Sequence, residues 1–328
     1  MAGARTVAGD VGGGGLHDRY QEGREAFWLS WKDVEVAGRP AAYGEAGEGT
    51  PVVFLHGWGL DHRVYKRALA RLVAAGVRVV APALPGFGGT ASLRARSWSL
   101  AGFASWLAEF LDAVGVTEPA LIVGHSFGGG VGIVFAHDHP ERVRGLVLIN
   151  SIGASAWAGR GHTARTMAQR PLWDWGLHFP GDLWPLAQAR RVLPVILAEA
   201  VPNLVRDPRA FWRVAALARD ADLTGELEEL KSRRLPVVVL WGKRDRIITR
   251  DAFEEMCEVL GGPHSFTVEG SHAWLIADPD TFGEVMTNVV DIAMRSRRLG
   301  RKGRPVRELP TLVGRLGRPR PAAGRSTT

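Results

Sequence analysis

The stretch ALIVGHSFGGGVGIVFAHD at residues 120–138 constrains the fold more than any other part of the chain. An apolar run of strand length enters Gly124-His125-Ser126-Phe127-Gly128, and an apolar segment of helical length follows without a spacer. So abrupt a passage from strand to helix forces strained dihedrals on Ser126 and brings neighbouring backbone very close, which is why glycine stands on either side. The turn lifts the Ser126 hydroxyl clear of the sheet. The start of the helix aims N–H groups and positive potential at the same place. A glycine-rich loop without chemistry also satisfies the bare GxSxG pattern. The strand before it and the helix after it argue against that alternative.

The rest of the chain supplies partners for this unit. Short β-branched runs at 27–36, 41–45, 52–55, 77–81, 120–123, 146–149, 237–241 and 265–269 read as strands. Helical periods fit between them at 61–75, 98–114, 127–138, 250–260 and 279–294. Runs such as VVFL, LVLI and VVVLW are continuously apolar, as strands buried on both faces are. The alternation predicts a mostly parallel eight-stranded sheet flanked by helices, an α/β architecture. Residues 152–234 interrupt it with several prolines, no strand candidate, and Trp157, Trp173, Trp175, Trp184 and Trp212. So long a connection reads as a helical insertion between two strands.

Charge divides the chain differently. The formal net charge is +7, yet residues 295–328 alone carry eleven Lys and Arg against one Glu. The other 294 residues hold 30 basic and 33 acidic side chains, so the basic character belongs to a tail. Residues 1–26 form a glycine-rich leader expected to be flexible, and the Arg/Gly/Pro-rich tail is expected to be disordered. Residues 27–151 and 235–294 are then the folded core, with 152–234 inserted. Eleven cations on a flexible chain predict weak contact with anionic surfaces rather than specific nucleic-acid recognition. No run of eighteen apolar residues and no secretory signal occurs, which predicts no transmembrane segment and a cytoplasmic protein. Cys257, the single cysteine, offers neither an intramolecular disulfide nor a cysteine-based metal site.

A serine hydroxyl needs a positioned base. Of ten histidines, His272 stands out because EGSHAW places it just after the last strand, at the carboxyl edge where open α/β sheets bind ligands. Asp245, in WGKRD after the strand VVVLW, is the candidate carboxylate that fixes the tautomer of His272. Its neighbours Arg244 and Arg246 leave a plain salt bridge as the alternative. Asp251 and Asp278 read as helix-start residues. The loop after LVLI offers only Asn150 and Ser151, neither of which can be an anion. The amide N–H groups of Trp58, in HGWG after VVFL, and of Phe127 are candidate oxyanion donors. The rings of Trp58, Phe127 and Trp274 adjoin these loops and are candidates to line an apolar substrate pocket, with core packing as the alternative.

On these residues the chain resembles the α/β-hydrolase fold family, specifically members with a helical cap after the sixth strand. The resemblance spans about residues 27–294 and includes APALPGFG at 81–88, where Ala83 stands in place of the family's usual aspartate. It implies a nucleophile at Ser126, an acid at Asp245 and a base at His272, in the family's chain order. Relatives that are epoxide hydrolases or haloalkane dehalogenases use an aspartate nucleophile, against which Ser126 argues. The expected activity is hydrolysis of a small-molecule carboxylic ester or thioester, with an apolar acyl or ring-bearing substrate, through an acyl-enzyme and with no cofactor. Hydrolytic C–C cleavage and cofactor-free perhydrolysis share the same triad. A hydrolase-fold binding protein with an anion-binding tail is the alternative of another class.

Overall fold

A computed structural model describes residues 29–155, 194, 197, 198 and 200–295. The expectations for the leader, the tail, and Trp157, Trp173, Trp175 and Trp184 lie outside the described residues.

Eight strands form one sheet: β1 (Ser30–Val36), β2 (Arg39–Ala46), β3 (Pro51–Leu55), β4 (Arg78–Pro82), β5 (Ala120–His125), β6 (Val143–Ile149), β7 (Val237–Gly242) and β8 (His264–Val268). Their order across the sheet is β1-β2-β4-β3-β5-β6-β7-β8. β2 runs antiparallel to β1 and β4, and every other pairing is parallel. Residues of β3, β5 and β7 are buried throughout, because side chains of alternate residues enter opposite apolar layers. Val53, Ile122, Leu148 and Val239 point into one core, whereas Phe54, Val123, Val147 and Leu240 point into the other. β5 runs two residues further than the apolar run suggested and ends at His125.

The helices follow from caps and stripes. They are α1 (Lys66–Val73), α2 (Leu100–Ala113), α3 (Phe127–Asp138), α4 (Pro208–Asp220), α5 (Thr224–Ser232), α6 (Arg250–Val259), α7 (Trp274–Ala277) and α8 (Pro279–Arg295). The Ser99 side chain caps α2 and Thr249 caps α6, while Asp207 followed by Pro208 starts α4. The helical stretch expected at 61–75 opens instead with a 3₁₀ turn, His62–Tyr65, capped by Asp61. Helix α7, four residues long, did not register in the sequence pattern. Helices α1, α7 and α8 cover one face of the sheet, and α2 to α6 pack into the core on the other.

Between β6 and β7 the chain leaves and returns at one place. Gly153 and Asp222 form a parallel bridge, with Leu223 N–H donating to Gly153 O at 2.7 Å. The described part of this insertion contains helical residues 200–206, then α4 and α5. The parallel strands β3, β5, β6, β7 and β8 all end on the same edge. Among the described residues no helix is long and apolar enough to cross a membrane.

Candidate active site

The loops at that edge converge on Ser126. Its φ of 54° and ψ of −117° lie outside the ordinary regions for a residue with a side chain. The strain is held by backbone: Ser126 N–H donates to Ile149 O at 3.0 Å, and Ser126 O accepts from Gly129 N–H at 3.0 Å. Crowding explains the glycines. A Cβ on Gly124 would lie 2.5 Å from Gly128 O, one on Gly128 2.3 Å from Leu55 O, and one on Gly129 2.1 Å from Ser151 Oγ. Ser126 itself remains partly exposed while the residues on either side are buried.

Asp245 and His272 meet as the sequence suggested. His272 Nδ1 lies 2.8 Å from Asp245 Oδ2; the carboxylate side chain is 0% exposed and the imidazole 10%. Three further donors hold the carboxylate: the Ile247 and Ile248 N–H groups on Oδ1 at 2.7 and 2.9 Å, and Asn150 Nδ2 on Oδ2 at 2.6 Å. Neither Arg244 nor Arg246 is among these partners. Four hydrogen bonds satisfy the buried carboxylate without a guanidinium. Because Oδ2 accepts from Nδ1, the proton of a neutral His272 sits on Nδ1 and Nε2 keeps its lone pair. The rival aspartates sit elsewhere: Asp278 accepts from Thr281 N–H at the start of α8, and Asp251 lies in the first turn of α6.

A second network links the elbow to the loop after β3. His125 Nε2 lies 3.0 Å from His272 O, and Tyr65 Oη lies 2.9 Å from His125 Nδ1. A carbonyl only accepts, so Nε2 carries the proton and Nδ1 accepts from the Tyr65 hydroxyl. The Tyr65 oxygen in turn accepts Gly57 N–H at 3.3 Å. Burial and the neighbouring His272 hold the His125 imidazole well below the ordinary histidine range, so it stays neutral. Its ring lies 4.9 Å from that of His272, centroid to centroid, which brings His272 alongside the elbow. His56 is likewise neutral through burial; its Nε2 accepts Leu84 N–H at 2.8 Å and its Nδ1 donates to Gly57 O at 2.9 Å. That bond ties the β3 loop to the loop after β4, in which Ala83 is fully buried.

A model of the alpha/beta hydrolase family matches residues 52–285. The chain belongs to the α/β hydrolase family. Among its relatives, a putative non-heme haloperoxidase of Mycobacterium phage D29 is 26% identical over 248 residues, covering 73% of this chain and 87% of that protein. A pimeloyl-[acyl-carrier protein] methyl ester esterase of Aeromonas hydrophila is 26% identical over 258 residues, covering 74% and 96%. In structure, a thermophilic esterase from Thermogutta terrifontis superimposes with a TM-score of 0.64 at 22% identity, covering 81% of this chain and 99% of its own, a likeness of fold.

In this α/β hydrolase the aromatic residues divide. Trp58 is partly exposed and faces the insertion, its ring 4.7 Å from Phe211 and 6.3 Å from Trp212, with Nε1 donating to Phe211 O at 2.7 Å. The Phe127 and Trp274 side chains are instead buried in the core, the alternative that the sequence left open for both. Phe127 is fully buried against Phe103 below the elbow, and Trp274, 1% exposed, packs on Phe282 in the opposite core. Both are drawn inward because a large ring gains more by complete burial than by lining a rim. Trp274 Nε1 donates to Asn150 Oδ1 at 3.3 Å, an acceptor shared with Gly242 N–H at 3.1 Å. Asn150 is the residue that sequence reasoning passed over. The available signal was an asparagine directly after an apolar strand, since asparagine is among the few residues that tolerate the positive φ, here 45°, that it adopts.

Proposed function

We propose that this α/β hydrolase is a serine hydrolase that cleaves a carboxylic ester or thioester through an acyl-enzyme. The observation that carries this is the buried His272–Asp245 pair at 2.8 Å, with the His272 ring beside that of His125, the residue preceding the strained Ser126. Ser126 Oγ attacks the substrate carbonyl carbon as His272 Nε2 takes the hydroxyl proton, and the tetrahedral oxyanion receives the Trp58 and Phe127 N–H groups. The C–O or C–S bond then breaks, and the proton on Nε2 passes to the leaving group. Water repeats the sequence on the acyl-enzyme and releases the acid. Asp245 fixes the tautomer and stabilises the imidazolium. The aromatic surface of Trp58 with Phe211 and Trp212 favours apolar or ring-bearing acyl groups over small charged ones.

Treatment of the full chain with a fluorophosphonate probe, followed by peptide mapping, should place a single adduct on Ser126 and abolish hydrolysis of p-nitrophenyl esters. An adduct elsewhere, with activity intact, would reject the proposal. A second activity, perhydrolysis, is favoured by the relative named a putative haloperoxidase. Hydrogen peroxide replaces water as the attacking group on the same acyl-enzyme, and peracid formation from an ester and peroxide measures it directly.

A further inference from the structure

Hydrogen bonds reach three successive residues of the loop after β3 from different sides. Gly57 N–H is held from the core by the Tyr65 hydroxyl at 3.3 Å. The Trp58 side chain is held by Phe211 O of α4 at 2.7 Å. Gly59 O accepts from Asn203 Nδ2 at 3.3 Å. Trp58 N–H, the donor assigned to the oxyanion, lies between the first and last of these bonds. With glycine on both sides, and Gly59 at a φ of 78°, the loop has little stiffness of its own. The bonds supply it.

Asn203 spends its whole carboxamide here. It is 2% exposed within helical residues 200–206, while Val205 on the outer side is 75% exposed. Oδ1 accepts Gly88 N–H of the β4 loop at 3.0 Å, and Nδ2 takes Gly59 O. A buried carboxamide is tolerated only where both ends are bonded, and these bonds join the insertion to two separate core loops. The elbow leaves the loop no slack: a Cβ on Gly57 would lie 3.3 Å from Ser126 Cβ and 3.1 Å from His125 Nδ1.

We infer that Asn203 is a positioning residue for the oxyanion loop, so that the insertion sets the rate of acyl transfer as well as the choice of substrate. This rests on the oxyanion reading proposed above. Loss of one oxyanion donor lowers kcat by about 10²- to 10³-fold. A donor that is displaced rather than lost should sit at or below the lower end, roughly 10- to 100-fold.

The test uses the full chain and Asn203→Asp, which keeps an acceptor for Gly88 N–H and sets an acceptor against Gly59 O. Rates are expressed per site titratable to completion with fluorophosphonate, which removes misfolded protein from the comparison. We expect kcat on p-nitrophenyl butyrate to fall roughly 10- to 100-fold with KM within about twofold. Affinity for a trifluoromethyl ketone, whose hemiketal oxygen occupies the oxyanion position, should fall by the same factor, and inhibition by butyrate should not move. Trp58→Phe, which keeps an aromatic ring against Phe211 but removes the Nε1–H bond, should act in the same direction by several-fold. If Asn203→Asp does not fold, Asn203→Ala, read by the same criteria per titrated site, decides the question in its place. Unchanged kcat and ketone affinity per titrated site would overturn the inference. So would a raised KM at constant kcat, since Asn203 would then act on substrate binding. Failure of wild-type Ser126 to label would instead overturn the serine-hydrolase proposal.

Discussion

The two halves of this site are built on different foundations. Asp245, His272 and Asn150 lie in the loops that follow β7, β8 and β6, and every hydrogen bond described for the acid comes from those loops. Among the hydrogen bonds described for the Gly57–Gly59 loop, the core supplies the one on Gly57 N–H and inserted helices supply those on the next two residues. On the proposed mechanism, proton transfer would be set by loops anchored on the sheet, and stabilisation of the oxyanion would be shared with the insertion.

If the proposed triad is right, the largest effects come from the sheet half. Ser126→Ala and His272→Ala should each lower kcat on the order of 10⁵- to 10⁶-fold, and Asp245→Asn by about 10⁴-fold by leaving His272 in the wrong tautomer. Wild-type turnover by Ser126→Ala, in a preparation free of other esterases, would dissolve the comparison altogether.

Asn150 tests how far the sheet half depends on a neutral bridge. In Asn150→Ala, Gly242 N–H and Trp274 Nε1–H lose their acceptor and Asp245 loses a donor; this should cost about 2 kcal/mol of stability and one to two decades of kcat. Asn150→Asp sets a second carboxyl group against Asp245, so the pair must share a proton and one of its pKa values rises. Its stability is then present at low pH and lost as pH rises through that raised value. Urea unfolding of wild type and both variants at pH 5.5 and 8 measures the contrast, and an Asn150→Asp protein whose stability relative to wild type is greater at pH 8 than at pH 5.5 would contradict it.

Both halves lean on histidines that must stay neutral, His125 and His56, and His62 behaves alike. His62 is buried with neither ring nitrogen hydrogen-bonded, and burial pushes it down to about 3. Below about pH 6.5 the unfolded chain takes up protons that these rings refuse, so stability falls with pH, by at most about 1.4 kcal/mol per unit for each histidine. For His62 the loss continues down to about pH 3. His62→Phe, which keeps a ring beside Trp31, should flatten the acid limb by close to one proton. An unchanged slope would show that His62 opens to solvent before it titrates.

The smallest effect is expected at the outer wall. Trp212, 44% exposed, should when changed to Ala alter the order of kcat/KM across an acyl-chain series by a few-fold while leaving Ser126 labelling intact. An unaltered order would confine recognition to Trp58 and Phe211.

The candidates of the sheet half were named in the sequence from local signals. A glycine pair around Ser126 and a histidine and an aspartate just past apolar runs are each dictated by the strand they follow, and all eight strands lie within a few residues of the expected positions. The oxyanion half was legible only as HGWG. What steadies it, Asn203 and Phe211, is separated from it by some 150 positions, and a buried asparagine or phenylalanine in a helix announces no partner. The same limit applies to the Phe127 and Trp274 rings: proximity to a catalytic loop in sequence says nothing about which side of the sheet a ring enters. Asn150 was passed over because it cannot be an anion. Its part is to donate to one.

The crowding around the elbow has a consequence for mutational tolerance. A library at residues 124–129 selected only for soluble, folded protein should still admit replacements at Ser126, and Gly there should be enriched because it relieves the positive φ. Gly124, Gly128 and Gly129 should be depleted under either selection, since even alanine would collide with backbone or with Ser151. Foldability therefore guards the glycines, and only selection for turnover guards the serine between them.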